Sequence, residues 1–179
     1  MHGIIFSELK KYVDTKFGGE TWSTLLNESG IGPKLYMNIQ HYPDQEVVAL
    51  VSTASRLTGK PVRGLLEDFG DFISADLLNM YRTLVRPEWK TLELLENVEM
   101  TIHTVVRSRH AGASPAKIGC VRKGPNEVEV TYASSRKMCP VAKGIITGLG
   151  RHYKQRLAVT ESGCMHKGAA TCTLNVKVL

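Results

Sequence analysis

No stretch of the 179-residue chain is apolar for long enough to span a membrane or to form the core of a secretory signal. Charge enters the opening M-H-G-I-I-F-S-E-L-K-K after only a few residues, and a cytoplasmic protein with no membrane association is expected. Aromatic residues make up only 7% of the chain and do not interleave with its dispersed Lys and Arg residues. The formal charge of +6 is therefore read as a solvated surface, and nucleic acid is not an expected partner. There is no internal repeat and no low-complexity segment. Cysteine is scarce, with four residues, and in a reducing compartment these are not expected to pair as structural disulfides. Nor does the chain show a nucleophile with its base or an open metal site, so catalysis is not expected. At 42% hydrophobic it is long enough for one well-buried core and short for two, and residues 1–179 are expected to form a single domain.

What is present divides by periodicity. Up to about residue 108, apolar residues recur at helical spacing over 3–16, 20–28, 44–57, 61–75 and 90–108, punctuated by F-G-G, G-I-G-P, T-G-K-P and R-P-E-W. From Ala116 the spacing changes to strand alternation in K-I-G-C-V-R and E-V-E-V-T-Y-A-S around a G-P-N-E turn, then in R-L-A-V-T-E and T-C-T-L-N-V-K-V. Pro140 suits the first turn of a helix through A-K-G-I-I-T-G-L-G-R-H-Y. The expected fold is α+β. A helical layer over 1–110 joins, at a hinge from His110 to Pro115, a four-stranded antiparallel sheet with a helix over 111–179.

Two motifs make sense together. His103 lies in L-E-N-V-E-M-T-I-H-T-V-V, where Leu92, Leu95, Val98, Ile102, Val105 and Val106 recur at helical spacing, so it borders an apolar face. Downstream, Tyr132, Ser134 and Arg136 alternate in Y-A-S-S-R, and in an extended chain they would share one face. A phenol, a hydroxyl and a permanently charged guanidinium in a row are suited to two carboxylates, such as the propionates of haem, and histidine is a common ligand of haem iron. Each half alone has an ordinary explanation, a hydrogen-bonded core histidine and a strand ending in arginine. Together they describe a haem clamp, placed where the helical layer and the sheet meet.

The cysteines form a second constellation. Cys164 and Cys172 stand in E-S-G-C-M-H-K-G-A-A-T-C, beginning at Glu161, and Cys139 stands at the start of the later helix. Three thiolates and a carboxylate complete a closed tetrahedral site, which suggests structural zinc held by Cys139, Glu161, Cys164 and Cys172, with His166 as the competing fourth ligand. Scattered reduced thiols or a redox pair are the alternatives. Cys120, inside an alternating strand, reads as packing.

The opening M-H-G-I-I-F, the Y-P-D-Q-E segment, Phe69-Gly70, I-H-T-V-V-R and Y-A-S-S-R-K-M-C together resemble the bacterial haem nitric oxide/oxygen binding (H-NOX) domain, related to the sensor domain of soluble guanylate cyclase. The resemblance spans the chain. It implies haem b, with His103 as proximal iron ligand and Tyr132, Ser134 and Arg136 on the propionates. The tail is similar to a zinc-bearing subgroup of the family, which favours Glu161 over His166, and to the vinyl-reductase type of domain. That second likeness raises a rival, a haem-free small-molecule sensing module with structural zinc.

The resemblance also implies a ligand. Oxygen-binding members place a tyrosine on the helix after Y-x-S-x-R, and the matching position here is Val141. Ile5, Leu9, Ile73 and Ile145 match the remaining distal positions, all apolar. Bound dioxygen would gain no hydrogen bond, so selectivity for nitric oxide is expected, with carbon monoxide binding in vitro. Where many members have a proline pressing on the haem, this chain has Ala116, beside Pro115. The implied action is that of a sensor: nitric oxide weakens the bond from iron to His103 and frees its helix. With no effector region in the sequence, the expected partner is a histidine kinase or a diguanylate cyclase.

Overall fold

Apolar residues at helical spacing place the first three helices where periodicity predicts them: α1 spans Gly3–Phe17, α2 Glu20–Glu28 and α3 Asp44–Thr58. The structure, a computed structural model, describes residues 1–110 and 112–179; Ala111, within the expected hinge, lies outside the described residues. Asp44 and Glu46 occupy the first turn of α3, where carboxylates suit the helix dipole, and Gly59 ends it with φ of 68°, a left-handed position natural to glycine. α4 follows over Val62–Met80, five residues beyond its predicted end at 75. No helix among the described residues is long and apolar enough to cross a membrane.

The chain folds as two compact units, Met1–Phe69 and Gly70–Leu179, so the division falls inside α4 rather than at the change from helix to strand. In the first unit, Phe6 is fully buried and stacks on Tyr36 with ring centroids 4.2 Å apart, while Tyr42 meets both rings edge-on. This aromatic group is tied to α3 by Glu46, whose Oε1 pairs with Lys34 at 2.6 Å and whose Oε2 accepts from the Tyr36 hydroxyl at 2.6 Å.

The second unit holds the sheet. After α5 (Thr91–Asn97) and α6 (Thr104–Arg109) come β1 (Lys117–Gly124), β2 (Glu127–Ala133), α7 (Cys139–His152), β3 (Leu157–Gly163) and β4 (Cys172–Val178). The strands pair antiparallel in the order β1-β2-β4-β3. Alternation buries Val128, Val130 and Tyr132 of β2 and Cys172, Leu174 and Val176 of β4 on one face. Val128, Val130, Leu174 and Val176 share a core with Leu92 and Leu95 of α5 and Ile146 and Leu149 of α7. At the other end of that face, Ile118, Tyr132 and Cys172 are direct cross-strand partners in one row. Among the described residues the totals are seven α-helices and one four-stranded antiparallel sheet, the α+β fold that the sequence leads one to expect.

Candidate functional site

Residues 90–108 do not form the continuous helix that their periodicity predicts. α5 ends at Asn97, α6 begins at Thr104, and Glu99–His103 between them is a π turn, closed by a bond from His103 N to the Val98 carbonyl at 3.0 Å. Such single wide turns recur at functional positions. Glu99 holds this one open. Its Oε2 accepts from His103 Nδ1 at 2.9 Å and from Ile118 N on β1 at 3.0 Å, while its Oε1 pairs with Arg107 at 2.9 Å. Thr104 Oγ1 donates at 3.1 Å to the Glu99 carbonyl, the group that His103 N would take in an α-helix. Burial alone would raise the Glu99 carboxyl; the bonds from His103, Ile118 and Arg107 outweigh it and bring the group below its ordinary value. An ionised carboxylate only accepts, so Nδ1 is the donor, and in the neutral form of this half-buried ring Nε2 is the lone-pair nitrogen.

Tyr132, Ser134 and Arg136 do not share a strand face, because β2 ends at Ala133 and the chain then turns toward α7. Hydrogen bonds of the turn gather them instead. Ser134 Oγ accepts from Arg136 N at 3.3 Å, and the Tyr132 phenol, which the Ser134 side chain also meets, accepts from Met138 N at 3.1 Å. The Arg136 guanidinium donates to the Ser114 carbonyl. Tyr132 is 5% exposed; burial pushes its phenol up, opposed by Ser134, Met138 and Arg136. The phenol is thus held at the turn beside Ser134 and the Met138 amide.

The predicted distal residues fall in both units. Ile73 on α4 is fully buried, Val141 is the half-buried third residue of α7, and Ile145, one turn on, packs against the core of the sheet. Gly70 permits close approach of α4 to α7, since a Cβ there would lie 2.2 Å from the Val141 carbonyl oxygen. Ile5 and Leu9 lie on α1 in the first unit, where Leu9 lines an apolar cavity of about 50 Å³ with Tyr12, Leu50 and Phe69. Ala116 packs, partly buried, against the group of Tyr132 and the thiols.

Three of the predicted zinc ligands come together. The sulfurs of Cys139, Cys164 and Cys172 all lie within 4.8 Å of one another, with Cys164 3.9 Å from each of the other two. A tetrahedral metal with bonds of about 2.3 Å would separate its sulfur ligands by about 3.8 Å, so the trio has the dimensions of a thiolate metal site. All three are buried; burial pushes the Cys139 thiol up, and Cys172 and Cys164 push it further. Neither proposed fourth ligand joins the group: Glu161 sits within β3 opposite Leu174, and His166 Nε2 bonds the Lys137 carbonyl at 2.7 Å. Sequence spacing locates the thiols but not the direction of a strand side chain beside them.

A family model described as haem-NO-binding matches residues 2–161. The chain belongs to the haem-NO-binding family. Domains of this family are haem-based gas sensors, not catalysts. Solved H-NOX structures share the fold. The H-NOX protein from S. oneidensis with Fe(II)NO is 25% identical, with 100% of this chain and 99% of that chain covered and a TM-score of 0.92. The H-NOX domain from Shewanella oneidensis in the Fe(II)CO state, solved by NMR, is 25% identical over 100% of this chain and 99% of that one, with a TM-score of 0.88. The unliganded Fe(II) H-NOX protein from K. algicida is 22% identical over 100% and 97%, also with a TM-score of 0.88, and shows the fold alone. Comparison with curated proteins gives no match. Set against the haem-NO-binding motifs, Glu99 is the site residue that sequence reasoning misses. Its signal is the four-residue spacing to His103, which is also the spacing of any surface ion pair on a helix.

Proposed function

We propose that residues 1–179 form one haem-based sensor domain that binds nitric oxide in preference to oxygen and signals to a separate partner protein. The observation that carries this reading is the proximal histidine: Nδ1 of His103 is engaged by Glu99, which leaves Nε2 as the nitrogen for iron. The rest of the donor set fits haem b. Tyr132 offers a phenol proton, Ser134 a hydroxyl and Arg136 a guanidinium to the two propionates, all in the same unit as His103. Bound haem would supply the ferrous iron at which gas is taken. Around it, Ile73, Val141 and Ile145 offer no hydrogen-bond donor, so a polar dioxygen adduct would go unsupported.

His103 is the ligand assigned to yield, and the Tyr132, Ser134 and Arg136 group is the anchor. A histidine kinase or a diguanylate cyclase is the partner class inferred from the family likeness, in a cytoplasmic setting, with carbon monoxide as a laboratory ligand. Zinc is assigned to Cys139, Cys164 and Cys172, whose spacing supports it. A haem-free module of the vinyl-reductase type is not favoured, because the family matched over residues 2–161 is the haem-binding one.

Absorption spectra of the ferrous protein alone, with oxygen and with nitric oxide test the reading. A Soret band that shifts with nitric oxide and stays unchanged under oxygen is expected. A colourless protein that gains no Soret band on haem addition overturns it. So does an unchanged ferrous spectrum in His103→Gly without added imidazole.

A further inference from the structure

Three carboxylates of the proximal segment, Glu93, Glu96 and Glu99, stand three residues apart and all bond β1. Glu93 and Glu96 both hold the Arg122 guanidinium. Glu99 is different in two respects. It bonds the backbone of β1 rather than a side chain, and the same oxygen that takes Ile118 N also takes His103 Nδ1. A long side chain such as Arg122 absorbs displacement by changing rotamer, whereas a backbone amide in a ladder moves with its strand. Ile118 in turn is paired with Tyr132 across the sheet. Arg107 on the other oxygen holds the carboxylate against rotation away from this position.

We propose that Glu99 is the positioning residue of His103: it fixes the ring so that Nε2 is the free nitrogen, strengthens that nitrogen as a donor to iron, and links the ligand to strand β1 through Ile118 N. The inference rests on His103 being the axial ligand. An imidazole whose Nδ1 proton is shared with a carboxylate is a stronger ligand than one bonded to water, because charge passes through the ring to Nε2. The strength of the bond to be broken is thus set partly by Glu99. Any displacement of His103 on gas binding would be made against an oxygen it shares with β1, so Ile118 is where the strand would register it.

The iron–histidine stretching band of the ferrous protein, read by resonance Raman, tests this directly. Glu99→Gln keeps the shape and one carbonyl acceptor but removes the charge, and the band is expected at lower wavenumber. Glu99→Ala removes the acceptor as well; the band is expected lower still, with haem affinity reduced about 10-fold, the scale on which such outer partners act. Arg107→Ala leaves Oε2 in place and is expected to leave the band near the wild-type position. Amide hydrogen exchange at Ile118 is expected to speed up in Glu99→Ala both with and without haem. A wild-type band in Glu99→Gln and Glu99→Ala overturns the proposal while His103 remains the ligand. If the band survives in His103→Gly, the axial assignment falls and this inference with it.

Discussion

Val141 is the residue at which the proposed preference for nitric oxide over oxygen is most directly tested. It stands on the first turn of α7, half-buried, with a methyl-bearing side chain that can donate nothing. A buried hydrogen bond to bound dioxygen is worth about 1–3 kcal/mol, so Val141→Tyr is expected to give a ferrous–oxygen spectrum in air where the parent protein gives none. Glu46 is a second deciding residue, for stability. Burial raises its carboxyl, but Lys34 and Tyr36 outweigh burial and hold it below the ordinary carboxylate value. A depressed folded-state value contributes stability that is present above the unfolded-state value, near pH 4.3, and is lost as pH falls through the folded one. Glu46→Gln is therefore expected to lower the thermal midpoint at pH 7 and to flatten its fall between pH 5 and pH 3, roughly the carboxylate range.

Helices α4 and α7 show what element packing demands of sequence. Gly70 and Gly148 lie where α4 and α7 meet; a Cβ on Gly148 would come within 2.1 Å of Ser74 Oγ, and one on Gly70 within 2.2 Å of backbone. Gly70→Ala must separate the helices and is expected to cost about 1–3 kcal/mol in thermal or urea unfolding. Gly64→Ala, earlier on the same helix and with open space around it, is expected to stabilise by about 0.5–1 kcal/mol. Much of this architecture is legible in sequence. Gly and Pro punctuation and apolar spacing place the ends of α1, α2 and α3 within a residue or so, and alternation locates the four strands. The π turn is not legible, because the side chain that opens it reaches Ile118, nineteen positions downstream. The end of β2 is not legible either. Y-A-S-S-R reads as an extended string, and only the bonds of Ser134 to its neighbours show that the chain has already turned. Residue types give the chemistry of that site, and the turn gives its shape.

For the molecule as a whole, bound groups are expected to be structural as well as functional. A ligand that binds only the folded state at 100 times its dissociation constant adds about 2.7 kcal/mol, so haem-loaded protein is expected to melt above haem-depleted protein. Chelation is expected to lower the midpoint of zinc-loaded protein, and Cys164→Ser to lower metal content in elemental analysis to below half of the parent. A thermal midpoint indifferent to both treatments would remove the structural role. The row Ile118, Tyr132 and Cys172 bears on all of this. Two strand spacings, about 10 Å, separate its ends. One end bonds the Glu99 carboxylate that also holds His103, the middle carries the phenol proposed for a propionate, and the other end carries a thiol of the proposed metal site. Tyr132 is thus a shared abutment: a replacement that shifts β2 there is expected to be felt both at Ile118 and at Cys172, its partners on either side.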